Sequence, residues 1–327
     1  MSQELPYSSQ TLPPTPRPAV PSLQSLAAAI LQAQVYQIDQ QLGAWLETPN
    51  ADALHEARIA IRRTRALLPF LKHSLSKQLT RPLAQGMRWL QSATSHQRDL
   101  DVLLGLLRKQ MRGEFKKSIT YSMLSSLLAR DIADEQHRVR IMLESEVYRD
   151  LRSHWVTSLA ALLSPAPQDP RALRFIHKII RASYDDFRRA ARNALRKPTP
   201  RRIHDVRILG KQLRYQLEAF PHAYDPERRE KLLARLKKLQ NALGAFCDLE
   251  AQVVLLKNWR NELRHSPRKH RGAGRELRRL QKRRRRERAA IKAKACKALQ
   301  KIAAPKSHKR CKKLLRGREA SASGGGQ

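Results

Sequence analysis

Apolar residues recur every three to four positions along most of the chain between Ser22 and about Arg264. The first such run consists of Leu23, Leu26, Ile30, Leu31 and Val35. This period places apolar side chains on one stripe of an α-helix. Alternating runs of β-branched residues, which are typical of strands, are missing, and the chain has only 12 glycines. The pattern predicts an all-α fold.

Prolines mark the expected joints between helices, because proline removes a backbone donor and fixes φ. They lie at Pro82, at Pro165, Pro167 and Pro170, at Pro198 and Pro200, and at Pro221 and Pro226. We predict helices near 22–48, 52–79, 83–110, 118–161, 170–196, 201–220, 227–243 and 246–264. Residues 1–21 are rich in proline and lack the pattern of a secretory signal, so we expect a disordered arm. No apolar run reaches eighteen residues, and no membrane-spanning helix is expected.

The chain contains an internal repeat with an offset of 149 residues. His55, Arg58, Arg62 and Arg65 have the same spacing as His204, Arg207, Lys211 and Arg214. The offset continues without a gap, since Leu90, Gln91, Ala93, Asp99 and Asp101 match Leu239, Gln240, Ala242, Asp248 and Glu250. We therefore predict two copies of one helical unit, at about 22–161 and 170–264.

Each set of four basic residues forms a stripe on its helix. The spacing i, i+3, i+7, i+10 confines four side chains to an arc of about 80° and spreads them over about 15 Å. We call residues 55, 58, 62 and 65 the first stripe and residues 204, 207, 211 and 214 the second stripe. A charged helix face is most often only solvated. However, like charges destabilise a helix, neither stripe includes a carboxylate, and the stripe occurs twice, which together favour a bound anion.

The charge of the chain indicates an anionic partner. It has 66 Lys and Arg against 28 Asp and Glu, a formal charge of +38, and a pI near 11.2. Residues 264–319 contain 24 of these cations and three acids, or +21. We expect residues 265–327 to be a basic tail, partly helical or disordered. Aromatic residues make up only 5%, so few rings are available to stack on single-stranded bases.

The two stripe helices resemble the signature helices of the CHAD domain, an α-helical domain named for its histidines. The resemblance rests on LHEAR (54–58) with RRTR (62–65), and on IHDVR (203–207) with KQLRYQLE (211–218). The stretches RDLD (98–101) and LQNALG (239–244) are also similar, and the resemblance covers about residues 22–264. It implies two antiparallel four-helix bundles related by a pseudo-two-fold axis, with basic residues around the middle. It also implies inorganic polyphosphate as the ligand.

Carried onto this chain, the resemblance implies phosphate contacts from all eight stripe residues. Second-tier candidates are Arg63, Arg88, Arg98 and Lys237. We expect Asp99 and Asp248 to orient arginines or cap helices. The resulting hypothesis is a non-catalytic polyphosphate-binding protein, without metal or cofactor, located at polyphosphate granules in a bacterial cytoplasm.

Two other classes of function compete with this hypothesis. A nucleic-acid-associated protein would bind RNA or DNA backbones through the basic tail, although no zinc-finger spacing or RNP motif supports it. An enzyme of phosphate metabolism has least support, because the chain has no Walker loop and no H-E-x-x-H spacing. The three cysteines are too few and too scattered for a disulfide framework or a zinc site, which favours a reducing compartment. Trp89 and Tyr215 are expected in the core.

Overall fold

The computed structural model describes residues 22–72, 74–110, 119–163, 170–262 and 271–315, and every regular element within these ranges is helical. The helices are α1 Leu23–Glu47, α2 Ala51–Leu71, α3 Lys77–Ala93, α4 Ser95–Gln110, α5 Ile119–Glu144, α6 Glu146–Ala160, α7 Pro170–Arg196, α8 Pro200–Ala219, α9 Pro226–Glu262, α10 Arg271–Ala303 and α11 Pro305–Leu314. A short 3-10 helix, Pro221–Ala223, lies between α8 and α9. The predicted all-α fold is confirmed, while its division into two four-helix bundles stays a prediction.

The internal repeat is visible in the helix boundaries and in the residues that cap them. A shift of 149 carries α1 to residues 172–196 and α2 to residues 200–220, which are almost the bounds of α7 and α8. Asn50 caps α2 through Ala53 N at 2.8 Å, and its counterpart Thr199 caps α8. Ser76 caps α3, and its counterpart Asp225 caps α9 through Arg228 N at 2.9 Å. Equivalent positions therefore begin equivalent helices in both copies.

Four predicted boundaries were wrong, among them that of the helix predicted at 83–110, which is divided at Thr94 into α3 and α4. Helix α2 ends at Leu71, and α3 begins after Ser76 and continues through Pro82. The predicted helix at 118–161 is divided at Ser145, whose hydroxyl accepts a hydrogen bond from Tyr148 N. The two helices predicted at 227–243 and 246–264 are one helix, α9. A serine hydroxyl that accepts a backbone N–H satisfies a donor that the helix itself leaves unpaired.

Residues 271–315, which the sequence placed in a partly helical or disordered tail, form two packed helices. Helix α10 packs along α9 and contacts α7 and α5, and α11 contacts α9. Ala295, Leu299, Cys311 and Leu315 are buried in the main hydrophobic core. The apolar residues of α10 follow a helical period, but they stand among so many cations that composition concealed the pattern. The proline-rich arm (1–21) and the remaining tail residues (265–270 and 316–327) lie outside the described residues.

A second apolar cluster joins elements from the two copies. Leu100, Leu103, Leu106 and Leu107 of α4 pack with Leu128 of α5, Leu256 of α9, and Leu277 and Leu280 of α10. Because α4 and the end of α9 are equivalent under the 149-residue offset, this cluster fixes one copy against the other. Within the described ranges, no helix is both long enough and apolar enough to span a bilayer.

Helix α3 approaches α6 closely enough to require a glycine. A Cβ on Gly86 would lie 2.1 Å from Cζ2 of Trp155, a fully buried side chain. No rearrangement short of moving the indole ring would remove that overlap. Gly86 thus permits the close contact between α3, which packs on α2, and α6, which packs on α1.

Candidate functional site

Helices α2 and α8 contact each other, and the contact brings parts of the two stripes together. The charge of Arg62 on α2 acts on Lys211 of α8, and that of Arg207 acts on Arg62. Arg98 of α4 acts on Arg62 as well. We call Arg62, Arg98, Arg207, Lys211 and Arg214 the central cluster. Its five cations come from both copies of the repeat.

Arg62 and Lys211 occupy the most crowded positions of the central cluster. Burial, with the added repulsion of Arg207 and Arg62, lowers the pKa of Lys211 to about 8. Burial also lowers the pKa of Arg62, and the charges of Arg207 and Arg98 contribute in the same direction. Among the described residues, neither side chain forms an ion pair or a side-chain hydrogen bond. Both therefore retain donors for a ligand.

Tyr215 and Glu218 join the two stripe helices beside the central cluster. Tyr215 is 3% exposed, and the Cζ atoms of Arg63 and Arg214 lie 5.4 and 5.1 Å from the centroid of its ring. Glu218 forms ion pairs with both guanidinium groups, with Arg63 Nη2 at 3.4 Å and Arg214 Nε at 3.2 Å. The ring and the carboxylate hold these two arginines, one from each copy, side by side.

Arg58 of the first stripe points into the protein. It is 8% exposed, and its guanidinium donates to Gln91 O at 2.8 Å, Thr94 Oγ1 at 2.6 Å and Ser95 Oγ at 3.3 Å. Burial, helped by repulsion from Arg62, lowers the pKa of Arg58 to about 10. These contacts tie α2 to the junction of α3 and α4.

Arg207, the counterpart of Arg58, has a different environment because two hydroxyl groups are missing. Leu243 and Gly244 stand where the first copy has Thr94 and Ser95. The side chain of Arg207 instead lies beside Gly244, remains 22% exposed, and pairs with Asp248 Oδ1 at 3.6 Å. Asp248, which the sequence predicts to orient an arginine, is thus an ion-pair partner of Arg207.

The same substitution explains why α3 and α4 are separate whereas α9 is continuous. In the first copy, Thr94 Oγ1 donates to Leu90 O and Ser95 Oγ donates to Gln91 O. Hydroxyl groups that bond to carbonyls four residues earlier bend helices. Leucine and glycine at the second-copy positions provide no such donor. The residues that accept hydrogen bonds from Arg58 therefore also lie at the break between α3 and α4.

His55 lies half-buried near the central cluster. Burial lowers the pKa of its imidazole, and the charges of Arg98 and Arg62 contribute in the same direction. Its Nδ1 atom is buried and has no hydrogen-bond partner within the described part of the chain. A bound anion would raise this pKa, because it would stabilise the imidazolium.

The other predicted contacts lie outside the central cluster. Arg65 is exposed and donates to the side chain of Gln91. Arg88 is exposed and lines a groove between α2 and α3. His204 and Lys237 are exposed, and neither makes a side-chain hydrogen bond or ion pair with any residue that the structure describes. The contributions of these four residues to binding stay predictions.

The sequence did not indicate every residue that shapes this site. Tyr215 was expected in the core and is buried, but its contact with two arginines was not foreseen. Glu218 stands four residues after Arg214, a spacing that pairs opposite charges on a helix, so its position carried a signal. The hydroxyls of Thr94 and Ser95 could have been found only by comparing the copies.

Comparisons with known proteins agree with this architecture. The family model of the CHAD domain matches residues 29–257. A crystal structure of the CHAD domain from the plant Ricinus communis is similar to this chain with a TM-score of 0.66 at 23% identity, covering 90% of this chain and 97% of the other. The structure of PptA from Streptomyces chartreusis is similar with a TM-score of 0.60 at 21% identity, covering 86% and 99%. No curated protein sequence matches the chain. The repeat, the helical architecture and the match over most of the sequence together place this chain in the CHAD domain family.

Proposed function

We propose that this protein binds inorganic polyphosphate at the central cluster. The observation that carries the proposal is the meeting of Arg62 and Lys211, from different copies, without a carboxylate partner among the described residues. Cations held this close repel one another, and a bound polyanion would remove that repulsion. The CHAD family is associated with polyphosphate binding, which agrees with the charge of the site.

The residue types suit a linear chain of phosphate groups. An arginine guanidinium can donate to two oxygens of one phosphate, whereas the lysine ammonium is a compact charge that tolerates several positions. Arg62 and Lys211 would contact the chain directly. Arg58, fully engaged with Gln91 and Thr94, would position α2 rather than contact phosphate.

We expect binding without catalysis. The side chains that meet at the central cluster supply positive charge and hydrogen-bond donors, which hold phosphate oxygens in place. Incubation with polyphosphate and Mg²⁺ or Mn²⁺ should therefore release no phosphate above the rate without protein. Steady release that depends on protein concentration would replace the binding proposal with an enzymatic one.

The central test removes three cations from the cluster. Arg62→Ala, Arg98→Ala and Lys211→Ala together should weaken long-chain polyphosphate binding by roughly a thousandfold or more, since each hydrogen bond to a charged group contributes about 1.5–3 kcal/mol and 1.4 kcal/mol is tenfold. The matched control removes three exposed cations from α7, at Arg174, Lys178 and Arg181. Equal losses in the folded variant and the control would refute a specific site.

Salt and competing polymers separate polyphosphate from nucleic acid. Counterion release makes the affinity fall linearly on a log–log plot against salt, with a slope set by the number of phosphates contacted. The exposed cations of α10, such as Lys282, Arg285 and Arg286, provide the alternative surface for RNA or DNA. If RNA or duplex DNA displaces polyphosphate at matched phosphate concentration, the nucleic-acid function is favoured. In cells, a fluorescent fusion should localise to polyphosphate granules, and the triple variant should not.

A further inference from the structure

A groove with a volume of about 630 Å³ lies between α2 and α3, outside the central cluster. Apolar residues such as Leu68 and Ala84 line it, and its charged lining consists of Arg65, Lys72, Arg81 and Arg88. Among the residues that the structure describes, no carboxylate lines it. We call this surface the α2–α3 groove.

The four cations of the α2–α3 groove have no carboxylate partner in the described part of the chain. Arg65 donates to the neutral amide of Gln91, and within the described ranges none of the four forms an ion pair. Elsewhere on the surface of this protein, exposed arginines commonly pair, as Arg152 does with Asp39 at 2.8 Å. Four unneutralised charges along one groove attract an extended anion and raise its local concentration.

The equivalent surface of the second copy carries acidic residues. The counterparts of Pro69 and Arg81 are Glu218 and Glu230, and the counterpart of Lys72 is Pro221. Both glutamates are engaged: Glu218 pairs with Arg214 at 3.2 Å, and Glu230 pairs with Arg229 at 2.9 Å. The second-copy surface is therefore of mixed charge, with Lys237 still exposed, where the charged lining of the first-copy groove is wholly cationic.

Arg65 connects the α2–α3 groove to the first stripe. Arg65 ends the first stripe, three residues after Arg62, and it also lines the groove. Lys72 follows Arg62 by ten residues, which corresponds to about 15 Å along a helix axis. A linear ligand that contacts Arg62 can therefore follow the same helix to Arg65 and on to Lys72 and Arg81.

We propose that the α2–α3 groove binds a continuation of the same phosphate chain, so that a long chain leaves the central cluster on the first-copy side. The inference rests on the proposed function. It adds the path that the phosphate chain takes over the protein and a dependence of the affinity on chain length. Short phosphate chains are held by the central cluster alone. Long chains gain the additional contacts of Lys72, Arg81 and Arg88.

The test compares two chain lengths in a variant of the groove. Lys72→Ala, Arg81→Ala and Arg88→Ala remove three exposed side chains, so the fold should be preserved, which circular dichroism checks. Long-chain polyphosphate should bind roughly tenfold more weakly, with a salt slope lower by about 2, from about 0.7 per lost contact to a single strand. Tripolyphosphate should bind as tightly as it does to the unmodified protein.

The α7 control, which removes Arg174, Lys178 and Arg181, corrects for the change in net charge. The inference is overturned if the groove variant matches this control with long chains, or if tripolyphosphate and long chains lose affinity equally. The single substitution Arg81→Glu, which installs the residue type found at Glu230, should produce the same selective loss. If the unmodified protein binds neither ligand, the proposed function itself fails, and that result is distinct from a failure confined to the groove.

Discussion

Arg58 and Arg207 occupy equivalent positions in the two copies, and we expect opposite consequences from their removal. Arg58→Ala should destabilise the fold, because its guanidinium is buried and makes three hydrogen bonds. Arg207→Ala should barely change stability but should weaken polyphosphate binding. Arg207 lies in the central cluster, and its ion pair with Asp248 involves a carboxylate that is 64% exposed.

The size of the Arg58 effect follows from two opposing contributions. Three hydrogen bonds from a charged donor stabilise the fold by about 6 kcal/mol, at about 2 kcal/mol each. Against this, burial and the repulsion of Arg62, which lower the pKa of Arg58 to about 10, disfavour the charged side chain and offset about half of that gain. The net loss on removing the side chain is about 3 kcal/mol. An exposed ion pair such as that of Arg207 contributes about 0–1 kcal/mol.

Urea denaturation followed by circular dichroism measures both changes in the free energy of unfolding, and unchanged m-values would confirm that the same surface unfolds. Polyphosphate affinity is measured on the same preparations without urea, after circular dichroism has shown that both variants are folded. If Arg207→Ala destabilised the protein as much as Arg58→Ala, the structural division between the two arginines would be wrong. The same conclusion would follow if Arg58→Ala left stability unchanged and abolished binding.

Three further predictions test the site and the packing around it. With a Lys211 pKa of about 8 in the free site, polyphosphate affinity should fall as pH rises from about 8 to 10.5, and Lys211→Arg should remove that fall in calorimetric titrations. Without ligand, the unfolded chain binds the proton that the folded chain has lost, so this lysine makes stability rise with pH over the same window. Glu218→Gln should strengthen binding severalfold, since each exposed pair that competes for an arginine contributes about 0.2–1 kcal/mol; weaker binding would show that the carboxylate positions the arginines instead. Gly86→Ala should cost about 1–3 kcal/mol in thermal unfolding through overlap with Trp155, whereas Gly105→Ala, whose Cβ meets no atom within 4 Å, should not destabilise the protein.

The repeat and the helical class could be predicted from the sequence because both depend on local patterns. Apolar residues at a period of 3.6 specify a helix wherever it packs, and a gapless 149-residue offset specifies equivalent helices. The residues that cap the helices could also be predicted from local sequence patterns. Ser76 and Asp225 differ in type but occupy equivalent positions, and each accepts a backbone N–H at the start of a helix. Attention to such pairs would have corrected the boundary between α2 and α3.

Burial of a charged side chain could not be predicted from the stripe alone. Arg58 and Arg207 have the same residue type, spacing and helical face, and only the residues opposite them differ. Whether an arginine faces solvent or a set of acceptors depends on residues more than thirty positions away, such as Thr94. Helix α10 presents the converse case, because Leu299 and Ala295 lie among many cations and yet are fully buried. Net charge describes the exposed face of a helix and says little about the opposite face.

The two copies differ both in the environment of their inner arginine and in the charge of their outer surface. In the first copy the inner arginine, Arg58, is used by the fold, while the outer α2–α3 groove keeps its charge free. In the second copy the inner arginine, Arg207, lies in the cluster, while Glu218 and Glu230 offset part of the charge of the outer surface. A linear ligand bound to such a site gains inner contacts from both copies, through residues such as Arg62 and Lys211, and outer contacts mainly from the first copy. Removing Arg207 should therefore weaken short and long chains alike, whereas removing Arg81 should weaken only long ones.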